Sequence, residues 1–276
     1  MRTKLFVPGS RPELFGKAMA GEADAVSLDL QDAVEESRKA EARAAVGNFL
    51  KSLPQARTKV MIVRVNAITT GHFEADVEAI RCPGLDMVNV PMVESADDVR
   101  RAAAVTKGIP ILATIETAKG LRLAAEIGTA HPSMAGLQLG FGDLLEPLGI
   151  ERYNPTVVLQ FQLALRLAAG EAGVFAYDSA YADVEDLEGL KREAEGARKL
   201  GYLGKSAIHP RQVPVINAAF RPSEEEIAYS LKVVETARDA KARGMGAWKV
   251  DGKMVDAPFV VRAENTLALA KRLGLL

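Results

Sequence analysis

The chain is organised by one repeated alternation. Eight short apolar runs, Lys4–Pro8, Ala25–Leu30, Lys59–Val65, Asp86–Met92, Pro110–Glu116, Gly136–Gly142, Gly173–Asp178 and Gly204–His209, are separated by longer stretches with helical spacing. Most of these runs are unbroken rather than alternating, as expected for parallel strands covered on both faces. The intervening segments carry helix signals. Ser95 is placed to cap a helix with Asp97 and Asp98 in its first turn and Gly108 at its end. Val184, Leu187, Leu190, Ala194, Ala197 and Leu200 recur at steps of three or four. Ser223 and Glu226 have the spacing of a capping box, with Gly244 as the stop.

Eight strand–helix units predict a (β/α)8 TIM barrel over residues 1–243. The competing doubly wound sheet is disfavoured because no G-x-G-x-x-G follows the first strand, and the glycines of "VPGSRPELFGK" are too far apart. Residues 244–276 break the rhythm. "AWKVDGKMV" reads as a β-hairpin turning at Asp251-Gly252, followed by a helix from about Ala257 to Arg272 with Pro258 in its first turn. This extension is expected to form a lid or an oligomerisation arm.

Composition narrows the functional classes. Lys and Arg total 35 against 36 Asp and Glu, which gives no support to a nucleic-acid-binding surface. A single cysteine, Cys82, excludes a disulfide framework and a thiolate metal cluster. No apolar run has the length of a membrane span, and the first residues lack a signal-peptide pattern. The expectation is a soluble cytoplasmic protein.

Barrel enzymes carry their chemistry at the C-terminal ends of the strands. Here those ends present Asp29, Gln31 and Asp32, then Arg64 and Asn66, Glu94, Glu116, Asp143, Asp178 and His209. Packing alone does not require so many polar ends. Glu116 and Asp143 close neighbouring strands, and two carboxylates completed by water suit Mg²⁺. Each acid has a plainer reading at the N-terminus of the helix that follows. The three histidines, His72, His131 and His209, are too scattered for a zinc or iron site. Arg64, inside the run "KVMIVRV", needs an anionic partner. That partner is either Asp29 or Asp32 in a structural ion pair, or a substrate carboxylate or enolate oxygen, and an orienting acid makes both compatible. His209 reads as a hydrogen-bonding rim residue, and Arg11 and Lys17, near Gly9 and Ser10, as candidate phosphate contacts.

In order along the chain stand "KLFVPGSRPELFGKA", "DLQDAV…K…AR", "VRVN", "PMVES", "IETAKG", "GFGDL", "GYLGKSAIHPRQVPVIN", "PSEEE" and "DGKMVDAPFVVRA". Together they resemble the CitE-like, acyl-CoA lyase branch of the HpcH/HpaI aldolase and citrate lyase β-subunit family, from about Thr3 to Leu269. The resemblance implies a carbon–carbon lyase with Mg²⁺ as cofactor. It makes or breaks a 3-hydroxyacyl-CoA, such as citryl-, malyl- or citramalyl-CoA, from an acyl-CoA and a 2-oxo acid. It implies Glu116 and Asp143 as metal carboxylates and Arg64 as a substrate-binding arginine. Asp256 of "MVDAP" becomes an acid lent from the C-terminal lid to a neighbouring subunit, and the "FVPGSRP…K" region, with Arg11 or Lys17, the part that approaches CoA. A homotrimer or dimer of trimers is implied as well. Without the resemblance, Asp256 reads as the cap of the last helix.

One position departs from the family pattern. Where D-L-E-D is usual, this chain has Asp29-Leu30-Gln31-Asp32. Glutamine keeps the size and one acceptor oxygen and loses the charge. Gln31 and Asp32 therefore count among the substrate-binding candidates, with the substrate left open. Three further readings remain at this point: a CoA-independent aldolase acting on hydroxy-oxo acids, a malate-synthase-like enzyme that condenses and then hydrolyses the thioester, and a weakly catalytic CoA-binding paralogue.

Overall fold

In the computed structural model, which describes residues 1–276, all eight runs form strands. These are β1 (Thr3–Pro8), β2 (Ala25–Asp29), β3 (Val60–Arg64), β4 (Met87–Val90), β5 (Ile111–Ile115), β6 (Met134–Leu139), β7 (Phe175–Tyr177) and β8 (Lys205–Ala207). The helices are α1 (Phe15–Ala20), α2 (Lys39–Ser52), α3 (Phe73–Ile80), α4 (Ala96–Thr106), α5 (Ala118–Arg122), α6 (Ala124–Thr129), α7 (Phe141–Leu145), α8 (Pro155–Glu171), α9 (Leu187–Lys199), α10 (Gln212–Ala219), α11 (Glu224–Ala242) and α12 (Ala257–Arg272). The strands pair in parallel in the order β7-β6-β5-β4-β3-β2-β1-β8. An isolated parallel bridge between Asp178 and Lys205 joins the two ends, so the sheet closes into a barrel.

The packing divides the chain into two compact units, Met1–Phe220 and Arg221–Leu276. The first is the barrel. Its apolar residues cover the outer faces of the strands, where Val26, Leu28, Met61, Val63, Val88, Ile111 and Ile115 are almost fully buried. The helices close over them through positions such as Val46, Leu50, Val77, Val99 and Leu165. Ser95 accepts from the Asp98 N–H as its spacing predicts. Asp186, rather than Val184, sets the start of α9 by accepting from the Gly189 N–H at 2.8 Å.

The barrel interior is polar where the sequence reads as unbroken apolar strand. Lys4 is fully buried. Its ammonium donates to Gln138 and, at 3.3 Å, to Asn89, and lies 4.3 Å from the Phe6 ring. Burial, and then the Arg64 charge, hold the Lys4 amine well below its ordinary value. At the closing seam, buried Lys205 pairs with Asp178 at 2.8 Å and Glu193 at 2.6 Å. Arg152 in turn grips Glu193 through two bonds of 2.8 and 2.9 Å.

In the second unit, α11 packs against α12 and against a hairpin of β9 (Trp248–Val250) and β10 (Lys253–Val255). The capping box of Ser223 and Glu226 is formed. The hairpin turns at Asp251 and Gly252, both with positive φ, 47° and 79°, as a two-residue turn requires. Val233, Val250, Val255 and Ala263 form a small core of this unit's own. The expected boundary at residue 243 thus falls at the end of α11, which belongs by packing to the second unit.

Candidate active site

The C-terminal ends of β2, β3, β5 and β6 bring five of the sequence candidates together. Arg64, the last residue of β3, donates from Nε to Asp29 Oδ1 at 2.8 Å and from Nη2 to Asp29 Oδ2 at 2.6 Å. Its third nitrogen, Nη1, is 3.3 Å from Asp32 Oδ2. The guanidinium also lies over the Phe6 ring, 4.9 Å from its centroid. Burial opposes its charge, but Asp29 overrides that by charge and hydrogen bonding and raises its pKa. Both partners foreseen from sequence are therefore present, and a two-pronged pair fixes the orientation of the guanidinium. Asp29 is itself held by the backbone N–H groups of Gln31 and Ala33 at 3.0 and 3.2 Å.

Glu116 follows β5 and is 2 % exposed. Its Oε1 accepts from the Met92 N–H at 2.7 Å. Met92 holds a left-handed φ of 55°, a conformation a residue of this shape seldom adopts. That strain aims the amide at the carboxylate. Burial pushes the Glu116 carboxyl up to about 7, with the Met92 N–H opposing and the negative charges of Asp143 and Asp32 adding to the rise. Space for the carboxylate comes from Gly140, where an added Cβ would sit 2.4 Å from Glu116 Oε2. Asp143 is exposed in the first turn of α7. Asp32 is raised by burial, opposed by Arg64 and reinforced by Asp29 and Asp143. The mouth is thus a set of carboxylates that repel one another around a single guanidinium.

Other strand-end residues have separate work. Glu94 pairs with Lys119 at 3.2 Å. Asp178 belongs to the Lys205 seam. His209 accepts from the Arg211 N–H at 3.2 Å, the rim hydrogen bond expected of it. Arg11 pairs with Glu13 on the surface. Lys17 lines a cavity of about 530 Å³ together with Phe6, Pro8, Leu14, Ile208 and His209.

Asp256 belongs to the second unit. It occupies the N-cap position of α12, yet its side chain makes no capping bond. Its Oδ1 is buried with no hydrogen-bond partner. The capping role that sequence spacing offers is therefore not the one it plays.

Sequence reasoning missed the Met92 amide, the clearance at Gly140, and Lys39. The Lys39 ammonium donates to the Leu30 and Gln31 carbonyls and to Asn66 Oδ1 at 3.1, 3.0 and 2.7 Å. The lysine and asparagine letters of "DLQDAV…K" and "VRVN" were the available signal.

Comparison with known proteins finds relatives over nearly the whole chain. A profile described as HpcH/HpaI aldolase/citrate lyase matches residues 2–210. The chain is 38% identical over 275 residues to a (3S)-malyl-CoA thioesterase of Cereibacter sphaeroides, covering 99% of this chain and 95% of the relative. It is 34% identical over 286 residues to the citrate lyase subunit beta of Escherichia coli, covering 99% and 94%. It superposes with a TM-score of 0.80, at 36% identity and 98% coverage of both chains, on protein CitE from Mycobacterium tuberculosis crystallised with magnesium, acetoacetate and coenzyme A. With most of its length matched by the profile and nearly all of it by these relatives, the chain belongs to the HpcH/HpaI aldolase/citrate lyase family.

Proposed function

We propose that the protein is a Mg²⁺-dependent carbon–carbon lyase that cleaves or forms a 3-hydroxyacyl-CoA, with an acyl-CoA and a 2-oxo acid as the other partners. The observation that carries this reading is the mouth itself. An arginine oriented by Asp29 stands beside the buried acid Glu116 and the exposed acid Asp143, on adjacent rungs of the barrel. Relatives that carry malyl-CoA and citrate lyase names, and a structural neighbour with magnesium and coenzyme A, support the substrate class.

The residues fit a hard divalent cation. No group of three or more His, Cys, Asp or Glu side chains encloses a metal by itself. Glu116 and Asp143 together offer a two-carboxylate half-site, and substrate and water would complete the coordination of Mg²⁺. Burial first, and then the neighbouring charges of Asp143 and Asp32, disfavour the ionised Glu116, and a bound cation would offset both. Bound Mg²⁺ supplies Lewis acidity toward the oxygens of the 2-oxo acid. Arg64 neutralises the substrate carboxylate or the developing enolate oxygen, and because Asp29 fixes it beforehand little reorganisation is needed. As the C2–C3 bond breaks, the C3 hydroxyl releases its proton to solvent and becomes the oxo group of the 2-oxo acid, and the C2–C3 electron pair passes to the α-carbon of the acyl-CoA, where Asp256 delivers a proton; in the condensing direction Asp256 removes that proton and the new alkoxide takes one from solvent. An uncapped, partly buried carboxylate with one unpartnered oxygen suits this role.

Lys17 and its cavity are assigned to the CoA moiety, with Arg11 as the second candidate contact. The extension from residue 244 acts as a lid, and the chain assembles as a trimer or dimer of trimers so that Asp256 serves a neighbour. The free Cys82 suits a reducing compartment, and no helix is long and apolar enough to cross a membrane, in keeping with a cytoplasmic location.

The test is incubation with Mg²⁺, acetyl- or propionyl-CoA and a panel of 2-oxo acids, followed by mass spectrometry. A new thioester that disappears with chelator is expected; no adduct with any acid rejects the lyase. A second reading is favoured by the thioesterase name of one relative, namely hydrolysis after condensation. Stoichiometric free CoA without added thioesterase would select it.

A further inference from the structure

We infer that Lys39 is a positioning residue for Arg64, acting on the guanidinium through one peptide group and the Asp29 carboxylate. This deepens the lyase reading and rests on it.

Lys39 stands against the field of its own helix. It is the first residue of α2, where a cation opposes the macrodipole. Arg43, a like charge, follows four residues later on the same face. A local rule is broken in this way where another demand outweighs it. That demand comes from the turn after β2. The half-buried ammonium donates to the Leu30 carbonyl at 3.1 Å, the Gln31 carbonyl at 3.0 Å and Asn66 Oδ1 at 2.7 Å. All three of its protons are used, and every acceptor is uncharged.

The Leu30 carbonyl and the Gln31 N–H are opposite ends of one planar peptide group. Lys39 holds the oxygen end, joined by the Asn66 amide at 3.0 Å. Asp29 Oδ1 holds the N–H end at 3.0 Å. The peptide is thus an aligned dipole between an ammonium and a carboxylate, and hydrogen bonds in such a chain strengthen one another. Asp29 passes the restraint on, because its two oxygens also accept from Arg64 Nε and Nη2 at 2.8 and 2.6 Å. Charges alternate along this line: ammonium, carboxylate, guanidinium and then an anionic substrate.

The far end is anchored as well. The last paired residues of β2 and β3 are Asp29 and Arg64, and beyond them Lys39 and Asn66 join the two strand ends. Buried Asn66 donates from its N–H and Nδ2 to Asp76 Oδ2 at 2.9 and 2.7 Å. Asp76 Oδ1 accepts from Arg43 Nε at 2.7 Å. The circuit therefore closes on α2, which accounts for two cations at i and i+4 of that helix.

The test separates positioning from general support. Titration calorimetry measures Mg²⁺ binding to the protein alone and oxaloacetate binding to the Mg²⁺-loaded protein, since Glu116 and Asp143 make no bond to this circuit. Lys39→Met should weaken oxaloacetate by about tenfold or more and Mg²⁺ by less than about threefold. Lys39→Cys, in a Cys82→Ala background, should show the same split. Alkylation of that thiol with 2-bromoethylamine rebuilds an ammonium at nearly the length of lysine, and should return oxaloacetate to within about threefold of wild type. Should neither variant fold, Asn66→Ser, which removes one acceptor of Lys39 and one donor to the Leu30 carbonyl, should weaken oxaloacetate by about threefold or more with Mg²⁺ affinity unchanged. Equal losses for the two ligands, no loss, or a loss that aminoethylation does not repair would overturn the inference and leave the lyase reading standing. Failure of oxaloacetate to bind the wild-type protein in Mg²⁺ would remove the lyase reading and this inference with it.

Discussion

Replacing Glu116 by glutamine should make the metal-free protein more stable above pH 7 while removing its hold on Mg²⁺. The folded carboxyl is pushed from its ordinary 4.5 up to about 7. Below pH 4.5 both folded and unfolded chains keep the proton, and the residue is neutral to stability. Between these values the unfolded chain releases its proton first, so wild-type stability falls as the pH rises; above 7 the deficit is complete. At about 1.4 kcal/mol per pKa unit, the full deficit is roughly 3 kcal/mol. Glutamine keeps an acceptor for the Met92 N–H and never ionises, so it escapes the deficit. Urea denaturation followed by far-ultraviolet circular dichroism, in chelator, from pH 4.5 to 8.5, should show the two proteins equal at the acid end and the variant ahead by up to roughly 3 kcal/mol at pH 8. Added Mg²⁺ should then close the gap by stabilising only the wild type, by about 2.7 kcal/mol when the ion is at a hundred times its Kd. A variant advantage that is absent at pH 8, or the same at every pH, would show that the buried carboxylate is not under the electrostatic load argued here.

Three other perturbations follow from the geometry. Asp256→Ala should change the unfolding free energy by less than about 0.5 kcal/mol, because no cap is lost, while abolishing turnover; a loss near 1 kcal/mol with activity retained would restore the capping role. Gly140→Ala should drive the new methyl into Glu116, lowering Mg²⁺ affinity at least about tenfold with an overpacking loss of roughly 1–3 kcal/mol, and unchanged affinity by titration calorimetry would contradict the contact. Arg64→Met should strip a buried carboxylate of its partner and destabilise the protein by roughly 3 kcal/mol in urea, together with loss of oxo-acid binding; a neutral stability change would show that Asp29 is satisfied by backbone amides alone.

The barrel was legible because parallel strands buried on both faces must be short, apolar and repeated, and local chemistry marks where each helix starts. Ser95, the Ser223–Glu226 box and the Asp251-Gly252 turn all act within a few residues, so their spacing sufficed. The grouping of Arg64, Glu116, Asp32 and Asp143 was legible for a different reason: the strands of a barrel all end on one rim. What the sequence concealed depends on contacts across the barrel. Lys4 and Lys205 stand beside apolar residues and read as strand margins, yet both are fully buried, and their partners are 85 to 134 and 12 to 27 positions away along the chain. A lysine next to an apolar run is a cue that a distant acceptor exists, but not which one. Met92 and Gly140 were hidden likewise, since a left-handed backbone and a missing methyl acquire meaning only once Glu116 is beside them.

The joint between β7 and β8 deserves a mechanical reading. Seven of the eight neighbouring strand pairs share a ladder, whereas this one is a lone bridge backed by Lys205, Asp178, Glu193 and Arg152. The ring is fastened there by a clasp of opposite charges instead of a seam of backbone bonds. A clasp of that kind holds firmly while every member is present and gives way as a whole when one is withdrawn. The hoop should accordingly spring open at this point before any other, and amides flanking it should exchange with solvent earliest among the strands.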